Sequence, residues 1–212
     1  MKKLLYIVAL IGTLFAGEFD DAMQAYKAGN YIQALNGFYV LAKNGDPQAQ
    51  YNVGLMYALG KGAQPDTKKA MEWYAKAAKQ GMAQAQFNLG EIYQNLGGVQ
   101  EHGYEKAKYW YEKAAAQDVA QAYNNLGSLY LEGKGAKRDV EKALTYFGKA
   151  AELGDANADL NLGILYAWGE GVPNDKMKAY EHFKKALSAG KQQAGSYLEK
   201  LCKESSWVCE KK

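Results

Sequence analysis

Arginine is nearly absent from this sequence of 212 residues, and its charges almost balance. Arg138 is the only arginine, and 26 basic residues face 23 acidic ones, which gives a formal net charge of +3. Without Lys2 and Lys3, which lie in a segment that looks like a removable signal, 24 basic residues against 23 acidic ones leave +1. Nucleic-acid-binding proteins need a basic face and commonly use arginine for bidentate contacts. We therefore expect no nucleic-acid partner.

Histidine and cysteine are scarce, with 2 of each. His102 and His182 are far apart and have no pair of cysteines near them, so we predict no metal site and no cofactor. Cys202 and Cys209 lie close together near the end of the sequence. In an exported protein such a pair favours a disulfide, whereas in the cytosol it would be half of a metal site that lacks its other ligands. We favour the disulfide, which would hold the C-terminal end together.

Long apolar runs are absent except at the N-terminus, where two lysines precede an apolar stretch over residues 4–16. This arrangement is typical of a secretory signal and is too short to span a bilayer. We predict a signal peptide over residues 1–16, with cleavage near Ala16, and a periplasmic or secreted protein without stable membrane insertion. An uncleaved membrane anchor is the alternative interpretation.

Internal repetition is the strongest positive feature of the sequence. Four consecutive segments of 36 or 37 residues are near-copies of one another, over residues 46–81, 82–118, 119–154 and 155–190. Apolar residues recur in each segment at helical spacing, first in one stretch and then, after a glycine-rich turn, in a second. This periodicity predicts two amphipathic helices per segment. A repeat of this length indicates a solenoid of helix pairs.

Glycines and aspartates recur at fixed places within the repeats. A glycine falls in the middle of every first helix, where it costs about 1 kcal/mol relative to alanine. A cost repeated four times predicts that the partner helix crosses closely at these positions: Gly54, Gly90, Gly127 and Gly163. Aspartates stand where N-caps of the second helices are expected, at Asp66, Asp139 and Asp175, and Gly103 takes that place in the second repeat, whose loop is one residue longer.

The flanking segments are shorter versions of the same design. Residues 17–45 predict one helix pair, over Asp21–Ala28 and Tyr31–Lys43, and residues 191–212 predict a capping helix over Gln192–Cys202 with the cysteine pair. Terminal units of a solenoid must differ from the others, because they cover the last apolar face. In total we expect an all-α protein with eleven main helices and no strands.

The ordered motif of residues 46–190 reads A-x-x-N-L-G-x-x-Y…G-x-G…D-x-x-K-A-x-x-W/Y-Y/F-x-K-A-A-x-x-G. It resembles the Sel-one-like repeat (SLR) family, relatives of tetratricopeptide repeats, and residues 17–45 resemble a plain tetratricopeptide unit. The resemblance implies a right-handed α-solenoid of antiparallel helix pairs, whose concave groove serves mainly as an adaptor or scaffold for protein partners. Some exported, cysteine-rich members are associated with penicillin binding and weak β-lactamase activity. Those members carry a cysteine pair in nearly every repeat, whereas this sequence has a single pair.

Little in the sequence favours an enzyme. Ser188 and Lys191 match the S-x-x-K signature of serine β-lactamases. They lie at a predicted helix end, however, whereas that chemistry requires the serine to open a helix, and no S-D-N or K-T-G motif follows. We therefore predict no catalytic residues, and a penicillin-binding protein or β-lactamase-like hydrolase stays an alternative that rests on the resemblance alone.

A candidate binding groove follows from the face of the first helices that lies opposite their packing stripe. Asparagine recurs there in every repeat, and its amide can both donate and accept hydrogen bonds with a peptide backbone, while the flanking residues vary. The alternative is that each asparagine bonds to the backbone of a neighbouring repeat. We predict a monomer that binds a protein or peptide through these residues: Tyr51, Asn52, Leu55, Phe87, Asn88, Glu91, Asn124, Asn125, Ser128, Leu160, Asn161 and Ile164.

A second set of large side chains recurs on the second helices. Because these positions face the neighbouring pair, we expect them to pack between repeats rather than to contact a ligand. They are Trp73, Trp110, Tyr146 and His182.

Overall fold

The computed structural model describes residues 17–99, 102–169 and 171–210, and these residues contain helices and turns but no strand. The first helix, α1, covers residues 17–27. The others are α2 (Tyr31–Lys43), α3 (Pro47–Leu59), α4 (Thr67–Lys79), α5 (Ala83–Asn95), α6 (Gly103–Ala115), α7 (Ala120–Glu132), α8 (Val140–Glu152), α9 (Ala156–Trp168), α10 (Lys176–Ser188), α11 (Gln193–Glu204) and α12 (Ser206–Cys209). The described residues contain eleven long helices, which confirms the prediction of an all-α protein with eleven main helices. The predicted signal peptide lies outside the described residues.

The helix boundaries depart from prediction mainly at the ends of the chain. The predicted range Tyr31–Lys43 is that of α2, whereas α1 already includes residues 17–20, which precede the predicted start at Asp21. The short helix α12 was not predicted. The disulfide between Cys202 and Cys209, whose Cα atoms are 5.8 Å apart, holds this helix against the end of α11. Val208 is thereby buried in the core.

The described residues form two compact units, divided between Ile92 and Tyr93 within α5. In the first unit, the pairs α1/α2 and α3/α4 enclose a core that includes Phe38, Val53 and Met56. In the second unit, the pairs α7/α8 and α9/α10 pack in series and α11 with α12 covers the end. Its largest buried side chains are aromatic and come from the second helices: Tyr111, Phe147 and Phe183.

The glycine in the middle of the first helix lies at a close contact with the second helix in three of the repeats. A Cβ atom added to Gly127 would lie 2.6 Å from Cε1 of Phe147, and one added to Gly163 would lie 2.5 Å from Cδ1 of Phe183. At Gly54 the corresponding distance, to Cδ1 of Tyr74, is 2.7 Å. These distances confirm the predicted close crossing at three of the four positions. They also show its reason, since a ring of the second helix lies directly against the glycine.

The N-caps of three second helices are confirmed. The side chains of Asp66, Asp139 and Asp175 accept hydrogen bonds from the third helical residue at 2.9, 3.0 and 3.0 Å. In the second repeat the prediction was wrong, because Gly103 is the first helical residue and His102, with φ of 58°, precedes it. Gly97 lies close to this helix start, since a Cβ on Gly103 would lie 2.6 Å from Cα of Gly97.

Two glycine substitutions test the close crossing. Gly127→Ala should lower the free energy of unfolding by about 1–2 kcal/mol, because the added methyl group overlaps the fully buried ring of Phe147. Gly148→Ala is the matched control, since it also lies inside a helix but has open space around the added Cβ. It should raise the free energy of unfolding by roughly 1 kcal/mol through helix propensity. Urea denaturation followed by circular dichroism measures both, and equal shifts in the two variants would contradict the packing argument.

Candidate functional site

The twelve candidate groove residues lie on the first helices of the four repeats and divide between the two units. The first-unit site comprises the six residues on α3 and α5: Tyr51, Asn52, Leu55, Phe87, Asn88 and Glu91. The second-unit site comprises the six residues on α7 and α9: Asn124, Asn125, Ser128, Leu160, Asn161 and Ile164. Each site combines residues of two successive repeats.

Asn88 is the centre of the first-unit site. Its side chain interacts with the hydroxyl groups of Tyr51 and Tyr74, whose ring centroids are 5.7 Å apart. Its Oδ1 also accepts a hydrogen bond from Nε2 of Gln84 at 3.1 Å. Asn88 therefore connects α5 to both helices of the preceding pair, and these contacts fix the orientation of its amide.

Burial dominates the electrostatics of the first-unit site. It raises the pKa of Tyr51, and it raises the pKa of Tyr74 to about 12 against the opposing effect of the hydrogen bond with Asn88. Burial also raises the pKa of the Glu91 carboxyl. Both tyrosines are therefore neutral at physiological pH, and the site presents hydroxyl and amide groups beside one partly desolvated carboxyl group.

Asn52 differs from Asn88 although it occupies the same place in its repeat. It is 8% exposed, and its Nδ2 has no hydrogen-bond partner among the described residues. Phe19 packs on Phe38 with ring centroids 5.2 Å apart, so it corresponds to Tyr51, which packs on Tyr74. A phenylalanine at that place has no hydroxyl to offer the next asparagine. The residues of the preceding pair therefore distinguish the surroundings of Asn88 from those of Asn52.

The second-unit site contains a chain of amide hydrogen bonds. Nδ2 of Asn161 donates to Oδ1 of Asn124 at 2.9 Å, and Nδ2 of Asn124 donates to Oδ1 of Asn125 at 3.4 Å. Ser128 adds a bond from its Oγ to the carbonyl oxygen of Asn124 at 3.2 Å. Leu160 is only 7% exposed and belongs to the core with residues of the end helices. Asn161 thus bonds to a side chain of the preceding pair and Asn125 to a side chain of its own helix, a pattern that the alternative of backbone contacts did not anticipate.

The large side chains of the second helices pack on aromatic residues of adjacent helices. Trp73 contacts Tyr39 edge to face at 5.5 Å between centroids, and Tyr146 stacks on Tyr130 at the same distance. His182 stacks on Tyr166 at 5.8 Å with an angle of 10° between the ring planes. All three side chains pack on aromatic rings, but only the contact of Trp73 joins successive pairs as predicted, because Tyr146 and His182 pack on the first helix of their own repeat.

The partner of His182, Asp159, was missed by sequence reasoning. Its Oδ1 lies 2.8 Å from Nδ1 of His182. The equivalent residues Gln50 and Gln86 donate from Nε2 to the carbonyl oxygens eight residues earlier, at 3.1 Å in both cases. A carboxylate cannot donate such a bond, and Asp159 pairs instead with the histidine. The sequence contained a signal for this pair. In the same repeat, Asp159 replaces the glutamine and His182 replaces the aromatic residue found at the equivalent positions of the first two repeats.

Ser188 and Lys191 do not have the arrangement that serine β-lactamase chemistry requires, because Ser188 ends a helix rather than opening one. Ser188 is the last residue of α10, where its Oγ donates to the carbonyl oxygen of Lys185 at 2.8 Å, and Lys191 follows beyond Gly190. The S-x-x-K sequence therefore spans a helix end. Within the described ranges no group of three or more histidine, cysteine or acidic side chains could hold a metal ion. None of the helices in those ranges is long and apolar enough to cross a membrane.

Comparisons with known proteins agree with this architecture. The model of the Sel1 repeat family matches residues 47–82, 83–119, 120–155 and 156–191. A Sel1 repeat protein from Oxalobacter formigenes is 34% identical, with a TM-score of 0.77 over 87% of this chain and 73% of that one. A protective antigen present in uropathogenic Escherichia coli strains, which displays an SLR fold, is 32% identical with a TM-score of 0.78, over 91% of this chain and 44% of that one.

A third solved structure, cysteine rich protein B of Helicobacter pylori, is 29% identical with a TM-score of 0.50, over 63% of this chain and 96% of that one. No curated protein matches the sequence. The first two structures carry the comparison, because their similarity extends over most of this chain.

A double-mutant cycle tests the Asp159–His182 pair. His182→Ala should lower the free energy of unfolding by about 1–3 kcal/mol, because it leaves a carboxylate that is 11% exposed without its partner. In an Asp159→Gln background the same change should cost about 1 kcal/mol less, since the glutamine can donate to the carbonyl of Ala151, eight residues earlier. Stacking on Tyr166 is lost in both backgrounds, so urea denaturation isolates the pair. Equal losses in the two backgrounds would refute the coupling.

Proposed function

The chain belongs to the Sel1 repeat family, and from this premise we propose that it is a scaffold that binds a protein or peptide partner through the first-unit and second-unit sites. Binding involves no chemical step. The observation that carries the proposal is the fixed orientation of the recurring asparagines, of which Asn88, Asn125 and Asn161 stay partly exposed. Each is held by side chains of a neighbouring pair or of its own helix.

Preorganisation explains why such amides suit peptide recognition. An asparagine amide has two donor hydrogens and an acceptor oxygen with two lone pairs, so one or two internal bonds do not exhaust its capacity. Side chains that are already ordered lose less conformational entropy when a partner binds. The residues beside them differ between repeats, from Tyr51 and Phe87 to Ser128 and Ile164, and this variation supplies selectivity.

We also propose that the protein acts outside the cytoplasm, in the periplasm or beyond the cell. The Cys202–Cys209 disulfide supports this location, because such bonds persist in oxidising compartments. The N-terminal basic and apolar segment supports it as well. The similarity to an antigen of uropathogenic Escherichia coli strains is consistent with the same location.

Partner capture from a bacterial envelope extract tests the proposal. Immobilised protein carrying both Asn88→Ala and Asn125→Ala should bind its partner roughly thirtyfold more weakly than the unchanged protein, because about 1 kcal/mol is lost with each of two hydrogen bonds. The matched control carries Asn36→Ala and Asn157→Ala, which remove two exposed asparagines from α2 and α9 outside the candidate sites. It should capture the partner as the unchanged protein does.

Circular dichroism first establishes that both double variants are folded, since Asn88→Ala also removes the bonds to the two tyrosines. If the folded Asn88→Ala/Asn125→Ala protein captures the same partner with unaltered affinity, recognition does not use the asparagines and the proposal fails.

A further inference from the structure

An open cleft of about 470 Å³ in the second unit is lined by four cationic side chains and one carboxylate. We call it the basic cleft. Its cations come from three elements, with Lys108 on α6, Lys137 and Arg138 in the turn before α8, and Lys142 in the first turn of α8. Asp139 is the carboxylate. The cleft is separate from the asparagine-bearing sites and does not depend on their proposed role.

The carboxylate of Asp139 is already engaged in the local fold. Its Oδ1 accepts the N-cap hydrogen bond from the backbone nitrogen of Lys142 at 3.0 Å, and its Oδ2 is 3.7 Å from Nζ of the same residue. The neighbouring cation of the same turn, Lys134, is likewise paired, with Glu132 at 2.6 Å. One carboxylate cannot balance four cations, so the basic cleft carries an excess of positive charge.

Three contacts hold Arg138, Lys142 and Lys108 beside the cleft. Nε of Arg138 donates to the carbonyl oxygen of Leu131 at 3.0 Å, which fixes the guanidinium plane and leaves its terminal nitrogens to form a fork. The ring of Tyr130 lies under two ammonium groups, with Nζ of Lys142 at 5.2 Å and Nζ of Lys108 at 6.0 Å from its centroid. These cation–π contacts limit the freedom of both lysines.

Comparison with equivalent positions in the other repeats shows which of the four cations belong to the general repeat pattern. Lys142 has lysine counterparts in Lys69 and Lys178, so it belongs to the general repeat pattern. The remaining three cations do not. The counterparts of Lys108 are Met71, Leu144 and Tyr180, and the counterparts of Lys137–Arg138 are Gln64–Pro65 and Pro173–Asn174. Cations that depart from the repeat pattern in two successive repeats thus lie together in one cleft. The other repeats fold without cations at these positions.

We propose that the basic cleft binds the carboxylates of an acidic peptide segment. The guanidinium fork of Arg138 matches the planar, two-oxygen geometry of a carboxylate. The ammonium groups of Lys108 and Lys142 flank Tyr130 on different helices, an arrangement that suits several singly charged groups spaced along a chain. The apolar ring between them contacts the methylene groups of glutamate side chains.

Fluorescence anisotropy of the full chain with a fluorescein-labelled oligoglutamate peptide tests this proposal. The unchanged protein should bind the peptide, and binding should weaken as salt rises, because exposed charges are screened. Lys137→Gln with Arg138→Gln should raise the Kd about tenfold. The matched control, Lys68→Gln with Lys69→Gln, removes the same charge from the first repeat and should change the Kd by less than about twofold.

Three outcomes would overturn the proposal. The first is that the oligoglutamate peptide does not bind the unchanged protein at low salt. The second is that both double variants weaken binding equally, which indicates general attraction rather than a site. The third is that a phosphoserine-rich peptide binds and oligoglutamate does not displace it, which identifies a phosphate site instead. The Asn88→Ala/Asn125→Ala variant should bind oligoglutamate like the unchanged protein, so this result is independent of the scaffold test.

Discussion

The contact between an aromatic ring and a glycine is the constraint on which the rest of each pair depends. Phe147 against Gly127 and Phe183 against Gly163 bring two helices so close that a single methyl group does not fit between them. A fully buried ring contributes about 1.5–3 kcal/mol, which exceeds the helix-propensity cost of the glycine. Because the packing side of the first helix is thus committed to its partner, its opposite side is free to carry polar residues. The position of the asparagines follows from this division.

Contacts between successive pairs give the same asparagine different roles in different repeats. Asn88 finds two tyrosine hydroxyl groups in the preceding pair, and Asn161 finds the amide oxygen of Asn124. Asn52 follows a pair that has Phe19 at the corresponding place, and its amide nitrogen is buried without a bond in the described residues. Structural and recognition roles are therefore not exclusive alternatives. In the proposed scaffold role, the bonds that order an amide also make it a rigid contact for a partner.

The features that sequence reasoning predicted are those encoded within a few residues. The range of α2 and the N-caps Asp66, Asp139 and Asp175 follow from local periodicity and from the chemistry of a helix start. The helix α12 and the burial of Leu160 depend on contacts with other parts of the chain, and helical spacing carries no information about them. The same is true of the site, whose residues were placed on one helix face by their spacing. Their exposure was not predictable, because the neighbouring pair decides it.

Equivalent positions in the repeats of one chain can be compared with one another. This comparison distinguishes two kinds of departure from the repeat pattern. Asp159 and His182 depart from their counterparts together, and each provides the partner that the other needs, so the change is compensated inside the fold. Lys108, Lys137 and Arg138 also depart together, but they add charge of one sign to a cleft whose only carboxylate already caps α8. A departure that is balanced internally needs no function beyond stability. A departure that leaves like charges gathered in a cleft raises the free energy of the unbound protein, and an anionic ligand is what offsets it.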